Sequence, residues 1–391
     1  MSEPGAWDRA EDVVCVRLDA LGDVLMTTPA IRALKGARDG RRITLVTSPA
    51  GAAVARLVPE IDDVWIYEPP WMKATAMRTD RRPEFAFIER LRRARFDAAA
   101  VFTVYSQNPL PAAMLCDLAG IPLRLAHCRE NPYQLLTHWV PDPEPDRLVR
   151  HEVRRQLDLV GTVGCRTIDE RLSLRVPDES GRRIEARLHR LGIDGADPWV
   201  VIHPGSSAPS RCYRPDGFAE AARRLVREAG CRVVFTGGET ERALVEQIQD
   251  LMSAPSVSLA GELDLAELAA LIARAPVLIA NNTGPVHIAA AVGTPVVDLY
   301  ALTNPQHTPW GVPSRVLFHD VPCRMCYKSV CPEGHHDCLR LVPPEAVVTA
   351  ALELLRAGPE AGDRGPGPRA PLAFDDSRRP IAPTALFVGR S

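Results

Sequence analysis

The sequence lacks a strong excess of charge of either sign. Its 391 residues carry 47 Lys and Arg against 49 Asp and Glu, which gives a formal net charge of −2 with neutral histidines. Proteins that bind nucleic acid or an anionic membrane over a wide area usually show a basic excess. The balance therefore argues against nucleic acid as a partner and predicts that any basic site is local.

Long apolar runs are also missing. No stretch approaches the ~18–20 residues that a membrane-spanning helix needs. The N-terminal residues 1–12 are acidic and polar, and the apolar run at 13–18 is too short for a secretory signal. We therefore expect a cytoplasmic protein that could contact the inner membrane only peripherally, through a lipid-linked substrate.

The length and the apolar pattern predict two domains of the α/β class. Single cores rarely grow past ~250–300 residues, and here apolar runs alternate with helical patterns, which predicts parallel sheets wrapped by helices. The strongest predicted strands are 13–16, 43–46, 97–102, 199–202, 233–235, 257–259, 277–280 and 296–299. Predicted helices include 24–35 and 152–163.

These runs form two series, each of which predicts a doubly wound domain. A segment rich in charge, glycine and proline separates them between Leu172 and Pro198. We assign residues 1–178 to an N-terminal domain and 179–357 to a C-terminal domain. Residues 358–391 hold many Pro, Gly, Arg and Asp with little apolar periodicity, which predicts a disordered tail.

The segment after the predicted strand 277–280 is typical of a helix that begins at an anion. Thr283 can cap the helix, Gly284 lets a ligand approach the backbone, and Pro285 suits the first turn. Free N–H groups at such a helix start face a phosphate readily. An ordinary capped helix explains the same residues, because such caps occur in most α/β folds.

A second turn, at the carboxyl end of the first predicted strand, carries Asp23. In open α/β sheets this edge is where ligands bind. A carboxylate there could take a proton from a substrate hydroxyl if it stays ionised and within ~3 Å of it. A simple helix N-cap is the alternative role for Asp23.

A third turn follows the strand at 199–202 and is rich in small residues and hydroxyls. Its backbone can approach a diphosphate, and Arg211 can add charge-assisted hydrogen bonds. A surface loop with an incidental arginine is the alternative. Residues 236–241 again put glycines between a strand and a helix, with Glu239 available for nucleoside hydroxyls, but they lack the spacing of the GxGxxG fingerprint.

Together the three turns form an ordered set: Arg17 with Leu21-Gly22-Asp23-Val24, His203-Pro204-Gly205-Ser206 with Arg211, and Asn282-Thr283-Gly284-Pro285 with His287. The set resembles glycosyltransferase family 9, the ADP-heptose:lipopolysaccharide heptosyltransferases, over about residues 13–355. The resemblance implies the GT-B fold, in which two Rossmann-like domains face a central cleft. It also implies that the first domain binds mainly the acceptor and the second the nucleotide sugar.

The family's functional residues can be carried over position by position. Asp23 matches the general base, and Arg17 and Gly22 would lie on the acceptor side. The residues that would bind the donor are Ser206, Ser207, Arg211, Glu239, Asn282, Thr283, Gly284 and His287. One position departs from the pattern, because family members often carry Asp where this chain has Asn282, and an amide keeps the hydrogen bonding but loses the charge.

The implied function is an inverting transfer of heptose, or a related sugar, from a nucleotide sugar such as ADP-heptose to a hydroxyl of a lipopolysaccharide-core-like acceptor. The family needs no catalytic metal, so no cofactor is expected for catalysis. A nucleotide-sugar epimerase and a non-catalytic nucleotide-sugar-binding protein are the alternatives, since fold alone does not fix chemistry. The sequence leaves the acceptor, the donor's sugar and nucleotide, and the oligomeric state open.

Two further features are local. Residues 73–95 carry eight Lys and Arg against three Asp and Glu; this stretch could receive an anionic acceptor, or be a solvated loop and helix face. Cys323, Cys326, Cys331 and Cys338 follow the spacing C-x2-C-x4-C-x6-C, which suits structural zinc or an iron–sulfur cluster. Packed thiols and a redox-dependent disulfide are the alternatives for these cysteines.

Overall fold

The N-terminal half of the chain forms a six-stranded parallel sheet. The computed structural model describes residues 5–72, 75–76, 79–193 and 197–357. The sheet has the strand order β3-β2-β1-β4-β5-β6. Its elements are α1 (Ala6–Arg9), β1 (Asp12–Arg17), α2 (Leu21–Gly36), β2 (Arg42–Thr47), α3 (Pro49–Ala55), β3 (Asp63–Ile66), α4 (Arg82–Ala94), β4 (Ala98–Val101), α5 (Leu110–Leu118), β5 (Leu123–Cys128), β6 (His138–Pro141) and α6 (Glu152–Gly161).

The C-terminal half repeats this topology. Its sheet is also parallel, in the order β12-β11-β10-β7-β8-β9, and short 3-10 turns at Pro209–Arg211 and Glu239–Glu241 follow two of its strands. Its elements are α7 (Asp178–Arg190), β7 (Trp199–His203), α8 (Pro215–Ala229), β8 (Arg232–Phe235), α9 (Arg242–Met252), β9 (Val257–Ser258), α10 (Leu265–Arg274), β10 (Leu278–Asn281), α11 (Gly284–Val292), β11 (Val296–Leu299), β12 (Ser314–Leu317), α12 (Asp337–Arg340) and α13 (Pro344–Ala357).

Both sheets therefore show the doubly wound order of Rossmann-like domains, and the predicted α/β fold is confirmed. The order of strands reverses between β1 and β4 in the first sheet and between β7 and β10 in the second. Such reversal points open a crevice at the carboxyl ends of the strands, where ligands bind. All three turns singled out in the sequence lie at these two points.

The central strands explain why their positions could be predicted. Residues 13–17 of β1 and all of β4, β7, β10 and β11 are buried, so their sequences are continuous apolar runs, as expected for strands covered on both faces. Register then aligns the strand ends: Ala280 of β10 pairs with His203 of β7 and with Asp298 of β11. These three residues lie side by side at the carboxyl ends of the central strands of the second sheet.

The structure differs from the prediction at the sheet edges and at the join. Strands β3, β5, β6 and β12 were not predicted, because they are short or interrupted by polar residues. The segment interpreted as the join contains α7, which packs against α10 of the second sheet. A boundary between 178 and 179 falls at the first residue of α7 and stays a prediction, and the predicted disordered tail at 358–391 lies outside the described residues.

Candidate active site

The first turns of α2 and α11 contact each other between the two sheets. A methyl group on Gly22 would lie 2.5 Å from Cδ2 of His287, and one on Gly284 would lie 3.3 Å from Cδ2 of Leu21. Real side chains do not approach as closely as the first of these contacts, so position 22 requires glycine in this arrangement. The contact brings predicted acceptor-side and donor-side residues into one site.

Arg17, the last residue of β1, lies beneath this contact and holds three carboxylates. Ion-pair distances join its Nη2 to Asp23 Oδ1 at 3.0 Å, its Nε to Asp19 Oδ2 at 2.9 Å, and its Nη1 to Glu152 Oε1 at 2.6 Å. Burial acts to lower the pKa of Arg17, but the carboxylates, Glu152 foremost, raise it above its ordinary value. The guanidinium has no exposed surface, so its direct role is to position these carboxylates.

Asp23 bonds the start of α2 and also reaches the crevice, while its predicted role as general base stays a prediction. Its Oδ2 accepts a hydrogen bond from the backbone N–H of Ala20 at 3.1 Å, so it caps the start of α2. Burial acts to raise the pKa of Asp23, but the charge of Arg17, the nearby rings of His307 and His287 and the Ala20 N–H outweigh it and lower that pKa. The side chain is 18% exposed, so an ionised carboxylate meets the crevice.

Asp19 is a second carboxylate at this edge that sequence reasoning missed. Gln107 Nε2 donates a hydrogen bond to its Oδ1, and Arg17 holds its Oδ2. Burial raises the pKa of Asp19 to about 6, although Arg17 opposes the rise. Its position two residues after an apolar strand was the available signal, the same signal that identified Asp23.

In the second half of the chain, Asn281 joins the loop after β7 to the turn after β10. Its Nδ2 donates to the carbonyl of Pro204 at 2.7 Å, and its Oδ1 accepts from the N–H of Tyr213 at 3.0 Å. Asn281 is fully buried, and a buried amide with both ends bonded fixes the groups that it joins. The loop after β7 is thereby held against the turn after β10.

Asn282, the residue that departs from the family pattern, forms a hydrogen bond with the carboxyl group of Asp298. Its Nδ2 donates to Asp298 Oδ2 and to the carbonyl of His307, both at 2.9 Å. Burial raises the pKa of Asp298 to about 8, against the opposing effects of the Asn282 hydrogen bond and the charge of Arg211. Asp298 is therefore a neutral carboxylic acid at neutral pH, and its place at the end of the predicted strand 296–299 was the signal that could have found it.

The start of α11 has no side-chain cap. Thr283 occupies the N-cap position, but its hydroxyl donates to the carbonyl of Asn281 at 3.2 Å instead of capping the helix. No side-chain hydrogen bond caps α11 at Thr283. The first turn therefore keeps the anion-binding character that the sequence predicted, although the hydroxyl does not cap.

Arg211 is the last residue of the 3-10 turn after β7. Its positive charge contributes to the pKa values of His287, Asp298 and His307. Within the described residues, no carboxylate forms an ion pair with it, so the charge is available to a ligand. Ser206 forms a local turn with Ala208, and Ser207 is exposed.

Two acidic residues, Glu239 and Glu241, follow β8, and they lie in different surroundings. Glu239 is 72% exposed and pairs with Arg242 at 2.7 Å, so its predicted contact with the nucleoside stays a prediction. Glu241 instead approaches the site: its Oε2 lies 3.6 Å from His203 Nε2 and accepts from the Gly238 N–H at 2.7 Å. A side chain at Gly205 would overlap the Glu241 carboxylate, which explains glycine there.

Two histidines lie between the halves as neutral rings. Burial lowers the pKa of His287 to about 4 and that of His307 to about 3, although Asp23 opposes both shifts. The sequence analysis singled out His287 but missed His307, which lies in a loop without an apolar pattern. At neutral pH neither ring carries a charge in the ligand-free protein.

The four clustered cysteines line one cavity at the back of the donor side. Cys323 Sγ lies 3.6 Å from His335 Nε2, and all four sulfur-bearing side chains border the same cavity. Across the described part of the chain, no three His, Cys, Asp or Glu side chains are arranged to hold a metal ion. The cavity adjoins Ser210, whose Oγ donates to the carbonyl of Lys328 at 2.7 Å.

The basic stretch is described in part. Lys73 and Arg78 lie outside the described residues, and the remaining arginines lie on or beside the exposed face of α4. Glu89 pairs with two of them, Arg92 at 2.7 Å and Arg93 at 3.1 Å. Among the described residues, no helix is both long and apolar enough to cross a membrane.

Two parallel, doubly wound sheets whose helices α2 and α11 meet at Gly22 and His287 define a protein with two Rossmann-like halves. The family model of glycosyltransferase family 9 (heptosyltransferase) matches residues 84–336 of this chain. That match covers more than half of the chain, and the chain belongs to this family. It is thus a glycosyltransferase of the heptosyltransferase type, as predicted.

Individual relatives agree with this assignment. Lipopolysaccharide heptosyltransferase 3 of Escherichia coli K12 is 25% identical over 354 residues, which cover 88% of this chain and 98% of the relative. A family 9 glycosyltransferase of Veillonella parvula superposes with a TM-score of 0.71 at 22% identity over 89% of this chain and 97% of its own. ADP-heptose lps heptosyltransferase II of E. coli superposes with a TM-score of 0.67 at 22% identity, over 88% of this chain and 99% of its own. The GT-B fold predicted from the sequence is confirmed by these structures.

Proposed function

We propose that this chain transfers a heptose from ADP-heptose to a hydroxyl of a lipopolysaccharide-core-like acceptor, with inversion at the anomeric carbon and without a catalytic metal. The names of the relatives, which include a lipopolysaccharide heptosyltransferase and an ADP-heptose enzyme, support the substrates. The observation that carries the proposal is the contact of Gly22 with His287. That contact sets the ionised Asp23 of one half beside the donor turn of the other.

Asp23 acts as the general base in this mechanism. Arg17 and the Ala20 N–H keep it ionised, so it can accept the proton of an acceptor hydroxyl that enters the crevice. The hydroxyl oxygen then attacks the anomeric carbon from the face opposite the diphosphate. Inversion follows from this single displacement on the face opposite the leaving group.

The leaving diphosphate is stabilised by fixed positive and dipolar groups. Arg211 offers its unpaired guanidinium, and the first turn of α11 offers N–H groups at the positive end of the helix dipole. The rings of His287 and His307 are neutral without ligand, and a bound diphosphate favours their protonation. These groups are in position before the reaction, which is the arrangement that gives electrostatic catalysis its strength.

Each half of the chain binds one of the two substrates in this proposal. We propose residues 1–178 as the acceptor side and residues 179–357 as the donor side. The arginines of α4 and its flanks lie on the acceptor half and favour an anionic acceptor such as a phosphorylated sugar–lipid core. A peripheral contact with the inner membrane would bring such an acceptor to the crevice.

Replacement of Asp23 by Asn tests the base. We expect Asp23→Asn to lower kcat by about 10²–10⁴, the usual contribution of general acid–base catalysis, and to leave the affinity for ADP-heptose nearly unchanged. Asp216→Asn is a matched control, because Asp216 also lies in the first turn of a helix but is exposed in the ion pair with Arg214. An equal loss of donor binding and turnover in Asp23→Asn would contradict the base assignment.

The donor is tested by ligand-dependent melting. A ligand that binds only the folded state raises the stability by an amount that grows with its concentration over its dissociation constant. We expect ADP-heptose to raise Tm more than UDP- or GDP-sugars. Stabilisation by UDP-sugars alone would overturn the donor assignment.

Turnover assays separate the rival functions. Sugar transfer that requires an acceptor supports the proposal. A changed sugar without any acceptor would identify an epimerase, and binding without turnover would identify a non-catalytic binder.

The cysteine cluster is the place where a structural metal would be bound. The four thiols line one cavity, but no three His, Cys, Asp or Glu side chains of the described residues are arranged to hold a metal ion. The spacing of the cysteines is what supports structural zinc or an iron–sulfur cluster, and no step of the transfer depends on it. Elemental analysis of protein purified without added metal tests this. A stoichiometry near one ion per chain that is lost in Cys326→Ser would support a metal site, whereas four titratable thiols and no metal would contradict it.

A further inference from the structure

Residues 326–331 form a loop that begins and ends at a cysteine, and we call it the cysteine loop. Cys326 and Cys331 border the cavity that Ser210 also lines. The residues between them, 327–330, are exposed. The two ends of the cysteine loop therefore lie at the cavity, and Ser210 belongs to the short turn that carries Arg211.

The start of the cysteine loop is fixed to the segment after β11. The N–H of Met325 donates to the carbonyl of Leu302 at 2.5 Å, and the N–H of Tyr327 donates to the carbonyl of Thr303 at 2.9 Å. Met325 and Tyr327 have φ angles of 59° and 53°, a left-handed conformation that is uncommon for residues other than glycine. Such a backbone persists only where the surrounding structure determines it. The cysteine loop is therefore a built part of the second half.

Ser210 joins the turn after β7 to the cysteine loop through two hydrogen bonds. Its backbone N–H donates to the carbonyl of Ser329 at 3.0 Å, and its Oγ donates to the carbonyl of Lys328 at 2.7 Å. Ser210 is 4% exposed, and buried polar groups of this kind fix the groups that they bond. Two bonds to consecutive carbonyls set both the position and the orientation of the residue before Arg211.

The turn that carries Arg211 has few bonds of its own. It is a 3-10 turn of three residues without a side-chain cap, and the N–H of Arg211 donates to the carbonyl of Ala208 at 2.8 Å. Turns of this type are short and have poorer hydrogen-bond geometry than an α-helix. The place of Arg211 therefore depends on its neighbours in sequence. On one side Tyr213 is bonded to Asn281, and on the other side Ser210 is bonded to the cysteine loop.

We propose that Ser210 is a positioning residue of the donor site, which holds Arg211 in place for the donor diphosphate by fixing its turn to the cysteine loop. This inference rests on the proposed binding of the diphosphate by Arg211. A backbone that is fixed in advance reduces the freedom that Arg211 loses when the diphosphate binds. It also meets the need of electrostatic stabilisation for groups that are in position before the reaction.

Removal of the Ser210 hydroxyl tests this role. We expect Ser210→Ala to weaken the binding of ADP about five- to tenfold, which corresponds to the net contribution of one hydrogen bond. The binding of adenosine, which has no phosphate, should change less than about twofold, because Arg211 has no diphosphate to contact in that complex. Lys328 is exposed, so water can replace the lost bond to its carbonyl and the variant should fold. Isothermal titration calorimetry measures ADP, and competition with ADP measures adenosine.

Thr294→Val is the matched control. The Oγ1 of Thr294 also donates to a backbone carbonyl at 2.7 Å, that of Ile272, and it is buried in the same half. This variant should bind ADP as wild type does. A loss of ADP binding in Thr294→Val as large as that in Ser210→Ala would show a general response to a missing buried hydroxyl and would overturn the positioning role.

A double-mutant cycle separates positioning from an independent effect. Arg211→Met alone should weaken ADP binding, and the addition of Ser210→Ala should then change it less than about twofold, because the residue that Ser210 positions has lost its charge. A further loss as large as that of Ser210→Ala alone would mean that Ser210 acts without Arg211. That result, or an equal loss of ADP and adenosine binding in Ser210→Ala, would overturn the inference.

The results also separate this inference from the proposed function. Unchanged ADP binding in Ser210→Ala, together with weakened binding in Arg211→Met, would overturn the positioning role alone. Unchanged ADP binding in Arg211→Met would overturn the proposed diphosphate contact itself. If wild type binds UDP or GDP and not ADP, the proposed donor is wrong, and the nucleotide that binds replaces ADP in the comparison of the same variants.

Discussion

At the scale of single residues, the site is built on the burial of Arg17. A fully buried guanidinium must be paired, and here its three partners are also the groups that shape the acceptor side. Asp23 is kept ionised, while Asp19, two residues after the same strand, holds its proton up to a pKa of about 6. The pKa values of these two carboxylates differ because Arg17, the two histidine rings and the Ala20 N–H together outweigh burial at Asp23, whereas burial outweighs Arg17 at Asp19.

Arg211 is the residue whose charge we propose to bind the donor diphosphate. Replacement by Met keeps much of the side-chain volume but removes the charge that faces the diphosphate. We expect kcat for transfer to fall by about 10²–10³, the effect of removing one stabilising group from a developing oxyanion. Arg214→Met is the control, because Arg214 is near in sequence but pairs with Asp216; steady-state kinetics with an equal loss in both variants would contradict the assignment.

Asp298 should make the stability depend on pH. Its pKa in the folded protein is about 8 against 3.8 ordinarily, so the folded state holds an extra proton between these values. The contribution of Asp298 to the free energy of unfolding is complete below pH ~4. It is lost as the pH rises towards 8, by at most about 1.4 kcal/mol per pH unit. Relative to wild type, Asp298→Asn should therefore gain stability from pH 5 to pH 8.

Urea unfolding of both proteins at several pH values measures this difference. Thr294→Ser, a change at another buried polar residue of the same half, should keep the pH slope of wild type. A constant difference between wild type and Asp298→Asn across pH 5–8 would show that Asp298 is ionised throughout.

At the scale of elements, two helix starts form the site, and their approach depends on Gly22. We expect Gly22→Ala to lower kcat at least tenfold, because its methyl group would lie 2.5 Å from Cδ2 of His287 and must push α11 or its histidine aside. Gly36→Ala changes the same residue type at the other end of α2, where nothing lies within 4 Å. That control should be as active as wild type and as stable or slightly more so.

Kinetics and thermal melting of the two variants separate a local effect from a general one. If Gly22→Ala retains full activity, the close contact of α2 and α11 is not part of the working enzyme. If both variants lose activity alike, the effect belongs to the helix and not to the contact.

The elements that sequence could predict are those whose burial determines their composition. Central strands such as β1 and β10 are covered on both faces and appear as apolar runs, and their carboxyl ends lead directly to Asp23 and Asn282. Edge strands such as β12 are half-exposed and carry no such run. Helix α7 was not predicted from the sequence, because the charged residues of its exposed face resemble those of a linker.

The site was predictable only where a residue follows a strong strand in sequence. Asp23, Arg211 and the Thr283 turn meet this condition. Glu152 and His307 reach the site from a helix start and from a bridging loop, so their positions follow from tertiary packing alone. Asp298 was visible as a polar residue in an apolar strand, but its pairing with Asn282 depends on sheet register.

At the scale of the whole molecule, the two halves are joined by the bridging loop between β11 and β12, residues 300–313, as well as by the starts of α2 and α11. Trp310 Nε1 donates to the carbonyl of Glu170 at 2.8 Å, and the rings of Trp310 and His151 lie 4.6 Å apart. Glu152 donates its backbone N–H to the carbonyl of Gln306 at 3.0 Å. The loop that carries His307 is thus fixed to the helix whose first residue holds Arg17.

His151 makes this junction sensitive to acid. Its Nδ1 accepts from the N–H of Val153 at 3.2 Å and caps α6, and its Nε2–H donates to the carbonyl of Thr308 at 2.8 Å. The ring must be neutral for both bonds. Burial lowers the pKa of His151 to about 4, so its contribution to stability is full above pH ~6.5 and is lost as the pH falls towards 4.

Replacement of His151 by Asn should remove this acid sensitivity, because Asn keeps a good capping oxygen but does not titrate. We expect wild type to be more stable at pH 7 and its advantage over His151→Asn to shrink by about 1–2 kcal/mol at pH 5, since each pH unit between the two pKa values is worth at most about 1.4 kcal/mol. The other buried histidines are common to both proteins, so their titration cancels in the difference. Urea unfolding at pH 7 and pH 5 measures the difference in stability between wild type and His151→Asn. A difference that stays constant would mean that His151 does not titrate at the junction.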